Sequence, residues 1–197
     1  MYPKVFEDLI YFFRQLPGVG EKTAERYAYA FLKMDDLEIE EYSEVLKKVK
    51  SNINNCSKCG VMCEGSVCSV CGDNKRNKNQ ICVVQTSKEV FAIERAGFYD
   101  GLYHVLNGEI SPTKGVVPND LTIDKLIDRI DENVEEIIIA TNPTVDGEIT
   151  AMYISKLLKE KKVTVTRIAN GLPMGGHVDY ADDMTLLKAM SGRQEIK

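Results

Sequence analysis

Ile81-Cys82-Val83-Val84-Gln85 is the run on which the fold of this 197-residue chain turns. Four consecutive apolar residues, three of them β-branched, end at a polar residue. That is the signature of a strand covered on both faces, not of a half-solvated hairpin. Downstream the pattern alternates. The spacing predicts a helix over 87–96, a strand around 102–106, a helix over 123–130 and the strand Ile137-Ile138-Ile139-Ala140. A helix over 147–159, the strand Val163-Thr164-Val165-Thr166 and a short helix over 180–191 follow. Strands alternating with helices imply right-handed crossovers and a mostly parallel sheet flanked by helices.

Upstream the style differs. Residues 74–79 are rich in Lys and Asn and read as a linker, and residues 56–71 show no periodicity and read as a loop module. Before them, three helical patterns fill residues 1–55. Val5, Leu9, Phe12, Phe13 and Leu16 recur at helical spacing, as do Ala24, Tyr27, Ala28, Phe31 and Leu32. A third face carries Ile39, Tyr42, Leu46, Val49 and Ile53. The fold class is therefore α/β in several parts: residues 1–55, a module at 56–71, a sheet domain at 80–175 and a C-terminal helix and tail at 176–197.

The module holds two C-x2-C pairs, Cys56/Cys59 and Cys68/Cys71, eight residues apart. Four thiolates at that spacing can close tetrahedrally on one Zn²⁺ at about 2.3 Å. Gly60 and Gly72 each follow a pair, where a knuckle turn favours positive φ. A zinc with four protein ligands has no open position, so its role would be structural. Cys63 lacks a paired partner, and Cys82 sits in the apolar strand as a core residue. His104 reads as a hydrogen-bonded sheet residue and His177 as an exposed loop residue.

Composition sets limits. The chain has 44% hydrophobic and 28% charged residues, no apolar run of membrane-span length, and acidic residues soon after its start. A cytoplasmic protein without a secretory signal is expected. The net charge of -5 is unevenly spread. Residues 1–55 carry eight Lys/Arg against ten Asp/Glu, residues 56–80 four against two, and residues 81–197 thirteen against eighteen. Such a chain cannot coat DNA by bulk charge; it must grip phosphate by local geometry or through several copies.

Leu16-Pro17-Gly18-Val19-Gly20-Glu21-Lys22-Thr23-Ala24-Glu25-Arg26 supplies such geometry and resembles a helix-hairpin-helix DNA-binding motif. Gly18 and Gly20 let backbone N–H groups face one phosphate at a helix N-terminus. Lys22 and Arg26, four apart, share a face and can flank the DNA backbone, while Val19 plugs the hairpin into the core.

The region from Ile81 to Thr166 resembles a Toprim domain, on the Ile81–Gln85 strand and on Ala140-Thr141-Asn142-Pro143-Thr144-Val145-Asp146-Gly147-Glu148. In active members of that fold, a Glu after the first strand and a D-x-D pair hold Mg²⁺ for phosphoryl transfer. Here Gln85, Asn142 and Thr144 occupy those places, leaving mainly Asp146 and Glu148. A catalytically silent Toprim is expected.

Hairpin, four-cysteine module and degenerate Toprim, in that order, resemble the bacterial recombination mediator family RecR. Gly101-Leu102-Tyr103-His104-Val105-Leu106, Thr166-Arg167-Ile168-Ala169 and Gly171-Leu172-Pro173-Met174-Gly175-Gly176 carry the same likeness. Asn170 and His177 depart from the family pattern, which usually has His and an acid there. The resemblance implies a non-enzymatic role in recombinational repair with RecO and RecF, loading recombinase at single-stranded gaps. It also implies a ring-like homotetramer around double-stranded or gapped DNA. Under it, Glu94, Asp146 and Glu148 are the candidates for contact with RecO. Two rival readings are a metal-dependent Toprim nuclease or topoisomerase and a zinc-stabilised RNA-binding protein.

Overall fold

A computed structural model describes residues 2–195; the last two residues of the expected tail lie outside it. The chain divides into two compact units, one ending at Ile53 and the other beginning at Asn54.

The first unit consists of α1 (Lys4–Arg14), α2 (Glu21–Phe31) and α3 (Asp36–Asn52). Its core is small. Phe6 and Ile10 of α1 pack on Ala24 and Ala28 of α2, with Leu9, Phe13 and Val19 around them. The expected α1 face is therefore only partly the buried one: Val5 and Phe12 are 82% and 67% exposed. The helix carries two apolar stripes, and periodicity alone does not say which turns inward. Helix α3 starts at Asp36 because Asp35 and Glu38 form a capping box, with bonds of 2.9 and 3.0 Å. It ends at Asn52, before Ile53 enters a strand, and buries no residue.

In the second unit β1 (Ile53–Asn55) pairs with β2 (Met62–Glu64), and α4 (Ser69–Gly72) follows. The cysteine segment is thus a folded element, not an irregular loop. Next come β3 (Asn77–Val84), α5 (Ser87–Ala96), β4 (Gly101–Val105), α6 (Ile123–Asp128), β5 (Glu136–Ile139), α7 (Val145–Leu157), β6 (Thr164–Arg167) and α8 (Asp183–Ser191). The sheet runs β4-β3-β5-β6, all parallel. Residues 77–79, expected as linker, open β3: Asn77 N donates to Asp100 O at 2.9 Å and Glu135 N to Asn79 O at 2.8 Å. Polar side chains are tolerated there because the strand entrance is not yet covered.

Strand alternation sorts the core. Ile81 and Val83 join Ile137, Ile139, Leu126 and Ile154 in one cluster. Cys82 and Val84 join a second with Val90, Tyr103 and Val105. Burial of each such aliphatic side chain contributes roughly 1.5–3 kcal/mol. Cys56, Cys59 and Cys68 belong to the second cluster, so the cysteine module is one wall of the sheet's own core.

His104 on β4, between Tyr103 and Val105, is a buried titratable group on the opposite face of that strand. Its Nδ1 accepts from Arg129 Nη1 at 3.1 Å, which places the proton on Nε2 for donation to Thr122 O at 2.9 Å. Burial first, then the Arg129 guanidinium, pushes its pKa down to about 4. A depressed folded-state value stabilises above the unfolded pKa, near 6.5, and that contribution is lost as pH falls toward 4. Unfolding free energy is expected to drop by about 2 kcal/mol more between pH 7 and pH 5 in the parent chain than in His104→Gln, measured by denaturant titration. Equal slopes would show that His104 is not buried neutral.

Candidate functional site

The four sulfurs of Cys56, Cys59, Cys68 and Cys71 all lie within 4.8 Å of one another. Cys59 and Cys68 Sγ are 3.6 Å apart, close to the edge of about 3.8 Å that a tetrahedron of 2.3 Å metal–sulfur bonds requires. The same turn builds both halves: Gly60 N donates to Cys56 O at 2.9 Å and Gly72 N to Cys68 O at 3.0 Å. Cys68 N and Cys71 N each point at a sulfur, Cys56 Sγ and Cys68 Sγ, both at 3.4 Å. Gly60 has φ +78° and presses on β4, where a Cβ would lie 3.0 Å from Val105 O. Gly72, expected to need positive φ, does not: it closes α4 in ordinary backbone.

The thiols respond to crowding. At Cys56, burial opposes ionisation, but backbone N–H groups of Cys68, Cys59 and Lys58 outweigh it and bring the pKa to about 6. At Cys59 a hydrogen bond with Cys71, then burial, drives it strongly upward. Four sulfurs this close cannot all ionise without a countercharge, and a thiolate-loving divalent cation suits them. The cluster can hold a metal ion. Cys63 lies outside it, with Sγ on Gly65 O at 3.6 Å. Burial alone pushes Cys82 up to about 12, as fits a core thiol.

A second constellation sits where the sheet changes direction. From β3 the chain moves to β4 on one side, and from β5 to β6 on the other. The carboxyl ends of β3 and β5 therefore form the switch point at which open α/β sheets bind ligands. Gln85 follows β3 and is buried there. Its Oε1 accepts from Asn142 N at 3.2 Å and from Asn142 Nδ2, while its Nε2 donates to Glu109 Oε2. Thr144 Oγ1 also donates to Glu109 Oε2, at 3.3 Å, and caps α7 by accepting from Gly147 N at 3.0 Å. The two amides and the hydroxyl, at the places where a Toprim Mg²⁺ site has carboxylates, are thus satisfied by one another and by the single carboxylate of Glu109.

The remaining acids are matched by cations. Asp146 faces Lys114 at 3.7 Å, and Glu148 faces Arg167 at 3.2 Å and Lys188 at 3.7 Å. Arg167 is held in place by Thr141 Oγ1 at 2.7 Å. Asp146 and Glu148 share the first turn of α7. Glu94 stands apart on α5, bonded to both Arg76 nitrogens and to Tyr103 Oη at 2.7 Å. Arg76 first, with Tyr103 assisting, holds its carboxyl below the usual range.

In the hairpin, Gly18 has φ +78° and Val19 N donates to Leu16 O at 3.1 Å, turning Val19 toward the α1–α2 core. Gly20 is the N-cap of α2 with φ −82° and no side-chain cap, so the first-turn N–H groups keep their free donors. A Cβ at Gly20 would meet nothing within 4 Å. The fold itself therefore does not require glycine at this position. Lys22 and Arg26 are exposed, and neither forms an ion pair among the described residues.

Comparison with known families matches three segments: the RecR helix-hairpin-helix over residues 6–50, a Toprim domain over 79–169 and the RecR C-terminal region over 171–194. The chain belongs to the RecR family. That makes it a DNA-binding, oligomerising recombination and repair protein in general terms. The RecR helix-hairpin-helix segment contains Gly18, Gly20, Lys22 and Arg26, and the Toprim segment contains Glu94, Asp146 and Glu148. Sequence reasoning missed Glu109 at the switch point, and Arg167, Lys114 and Lys188 as counter-charges. Only Arg167, the last residue of β6, lay within a run already associated with RecR. Among the described residues, no helix is long and apolar enough to cross a membrane.

Proposed function

We propose that this RecR-family chain is a cytoplasmic, non-enzymatic recombination mediator that binds double-stranded and gapped DNA. It acts with RecO and RecF to promote recombinase loading, as a tetrameric ring. One structural Zn²⁺ on Cys56, Cys59, Cys68 and Cys71 fixes the knuckle against the sheet. Gly18 and Gly20 present backbone donors to a phosphate, with Lys22 and Arg26 on either side. The observation that carries the reading is the Gln85–Asn142–Thr144–Glu109 network, a self-satisfied polar cluster at the place of a Toprim metal site. Assembly is supported by the helical unit, where Val5, Phe12 and Leu32 line an open apolar cavity of about 580 Å³ with Tyr2 and Tyr29. An exposed apolar surface of this kind favours burial against another copy.

Of the three candidate acids, we assign Asp146 and Glu148, together on the first turn of α7, to a basic surface of RecO, and Glu94, bonded to Arg76 and Tyr103, to the stability of the fold. Charge reversal in Asp146→Lys/Glu148→Lys is expected to weaken binding of purified RecO by about a hundredfold, with RecF and DNA binding retained. Isothermal titration reads this out, and Glu94→Gln should lower the melting temperature while leaving RecO affinity alone. Full RecO affinity in the double variant would remove these acids from the interface.

A further inference from the structure

Residues 56–80 carry four Lys/Arg against two Asp/Glu, and their lysines serve neither the cysteine cluster nor the hairpin. Two of these lysines, Lys58 on the knuckle and Lys78 at the entrance of β3, line a cleft of about 800 Å³ within the second unit. Lys125 and Arg129 of the α6 region complete the cationic rim. None of the four forms an ion pair among the described residues, although Asp73, Asp128 and Asp131 share the lining. Ile81, Leu102 and Val134 supply an apolar floor. Arg129 is braced from behind: its Nη1 donates to Tyr103 O at 2.7 Å and to His104 Nδ1 at 3.1 Å. Its Nε and Nη2 find no partner among the described residues. The buried, neutral His104 thus acts as an acceptor that aims the guanidinium.

The cleft is remote from the switch point. Lys78 lies near the start of β3 and Gln85 just past its end, roughly 20 Å apart at about 3.3 Å per residue. Its volume falls in the range of small-ligand sites. Cations outside any ion pair suit phosphate, an apolar floor suits the face of a base, and carboxylates suit amino or hydroxyl donors. We propose that this cleft binds a nucleotide, phosphate on Lys58, Lys78, Lys125 and Arg129 and base against Ile81, Leu102 and Val134. The nucleotide is either free or part of a DNA strand. The inference stands independently of the hairpin.

The test uses the full chain carrying Lys22→Ala/Arg26→Ala, so that the hairpin is silent. Fluorescent ATP and a short labelled oligothymidylate are titrated before and after adding Lys58→Ala/Lys78→Ala/Lys125→Ala. Arg129 is left alone because it supports His104. A Lys47→Ala/Lys48→Ala/Lys50→Ala variant on α3 removes equal charge elsewhere. At least one probe is expected to bind the hairpin-silent protein and to lose about tenfold or more in affinity in the cleft variant but not in the α3 control. Loss for ATP identifies a free nucleotide, and loss for the oligonucleotide alone identifies a strand. Absence of binding by both probes, or equal affinity in cleft and control variants, overturns the proposal. Failure of the unmodified chain to bind gapped duplex, with nucleotide binding intact, would instead count against the mediator reading.

Discussion

Cys59→Ala is expected to abolish metal binding and lower the melting temperature by roughly 10 °C or more. Metal-coupled folding energies in isolated zinc modules run to about 10–16 kcal/mol. Here the sheet has a core of its own, so only part of that is at stake, but a loss of about 4 kcal/mol already shifts a domain of this size by about 10 °C. Cys82→Ala is the control. Cys82 is as buried as Cys59 and lies in the same cluster, yet it is outside the four-sulfur group. The same atom is removed in both variants, so a simple packing loss of about 1–2 kcal/mol would be shared. Elemental analysis should find one equivalent of zinc in the parent and Cys82→Ala proteins and none in Cys59→Ala, and a strong chelator should reproduce the destabilisation. Equal melting temperatures with retained metal would refute the centre.

The second large effect belongs to the hairpin. Lys22→Ala/Arg26→Ala removes two exposed cations without ion-pair partners, so stability is expected to change by less than about 0.5 kcal/mol. DNA binding should fall steeply. Each lost phosphate contact flattens the dependence of log affinity on log salt by about 0.9, so two per chain give about 1.8, multiplied by the chains that touch DNA at once. Glu21 and Glu25 remain beside the vacated positions and become locally dominant. Lys22→Arg in the parent chain should keep most of the affinity, since a phosphate contact needs charge more than shape. An unchanged salt slope in the double variant would mean that DNA is gripped elsewhere.

Much of this was legible in the residues, for identifiable reasons. Ile81–Val84 announced a strand covered on both sides because only such a strand tolerates an unbroken apolar run. The cysteine spacing announced a metal knuckle because two-residue separation is a geometric requirement of the ion. Long-range partners were not legible. That the knuckle docks on β4, with Val105 N donating to Cys59 O at 2.8 Å, depends on elements far apart in sequence. Glu109 has no local mark at all; it reaches Gln85 and Thr144 only because the loop after β4 returns across the switch point. In α1, Val5 and Phe12 were as apolar as Phe6 and Ile10, and only packing on Ala24 and Ala28 decides between the two stripes.

The central claim is binding without turnover, and one assay addresses it directly. Purified protein is incubated with end-labelled gapped DNA and Mg²⁺ or Mn²⁺, and the same sample is run on native and denaturing gels. Gln85, Asn142 and Thr144 bring no charge to a metal, so the native gel should show retarded DNA and the denaturing gel intact strands. Strand cleavage that disappears in Glu148→Ala would contradict the account and restore a nuclease.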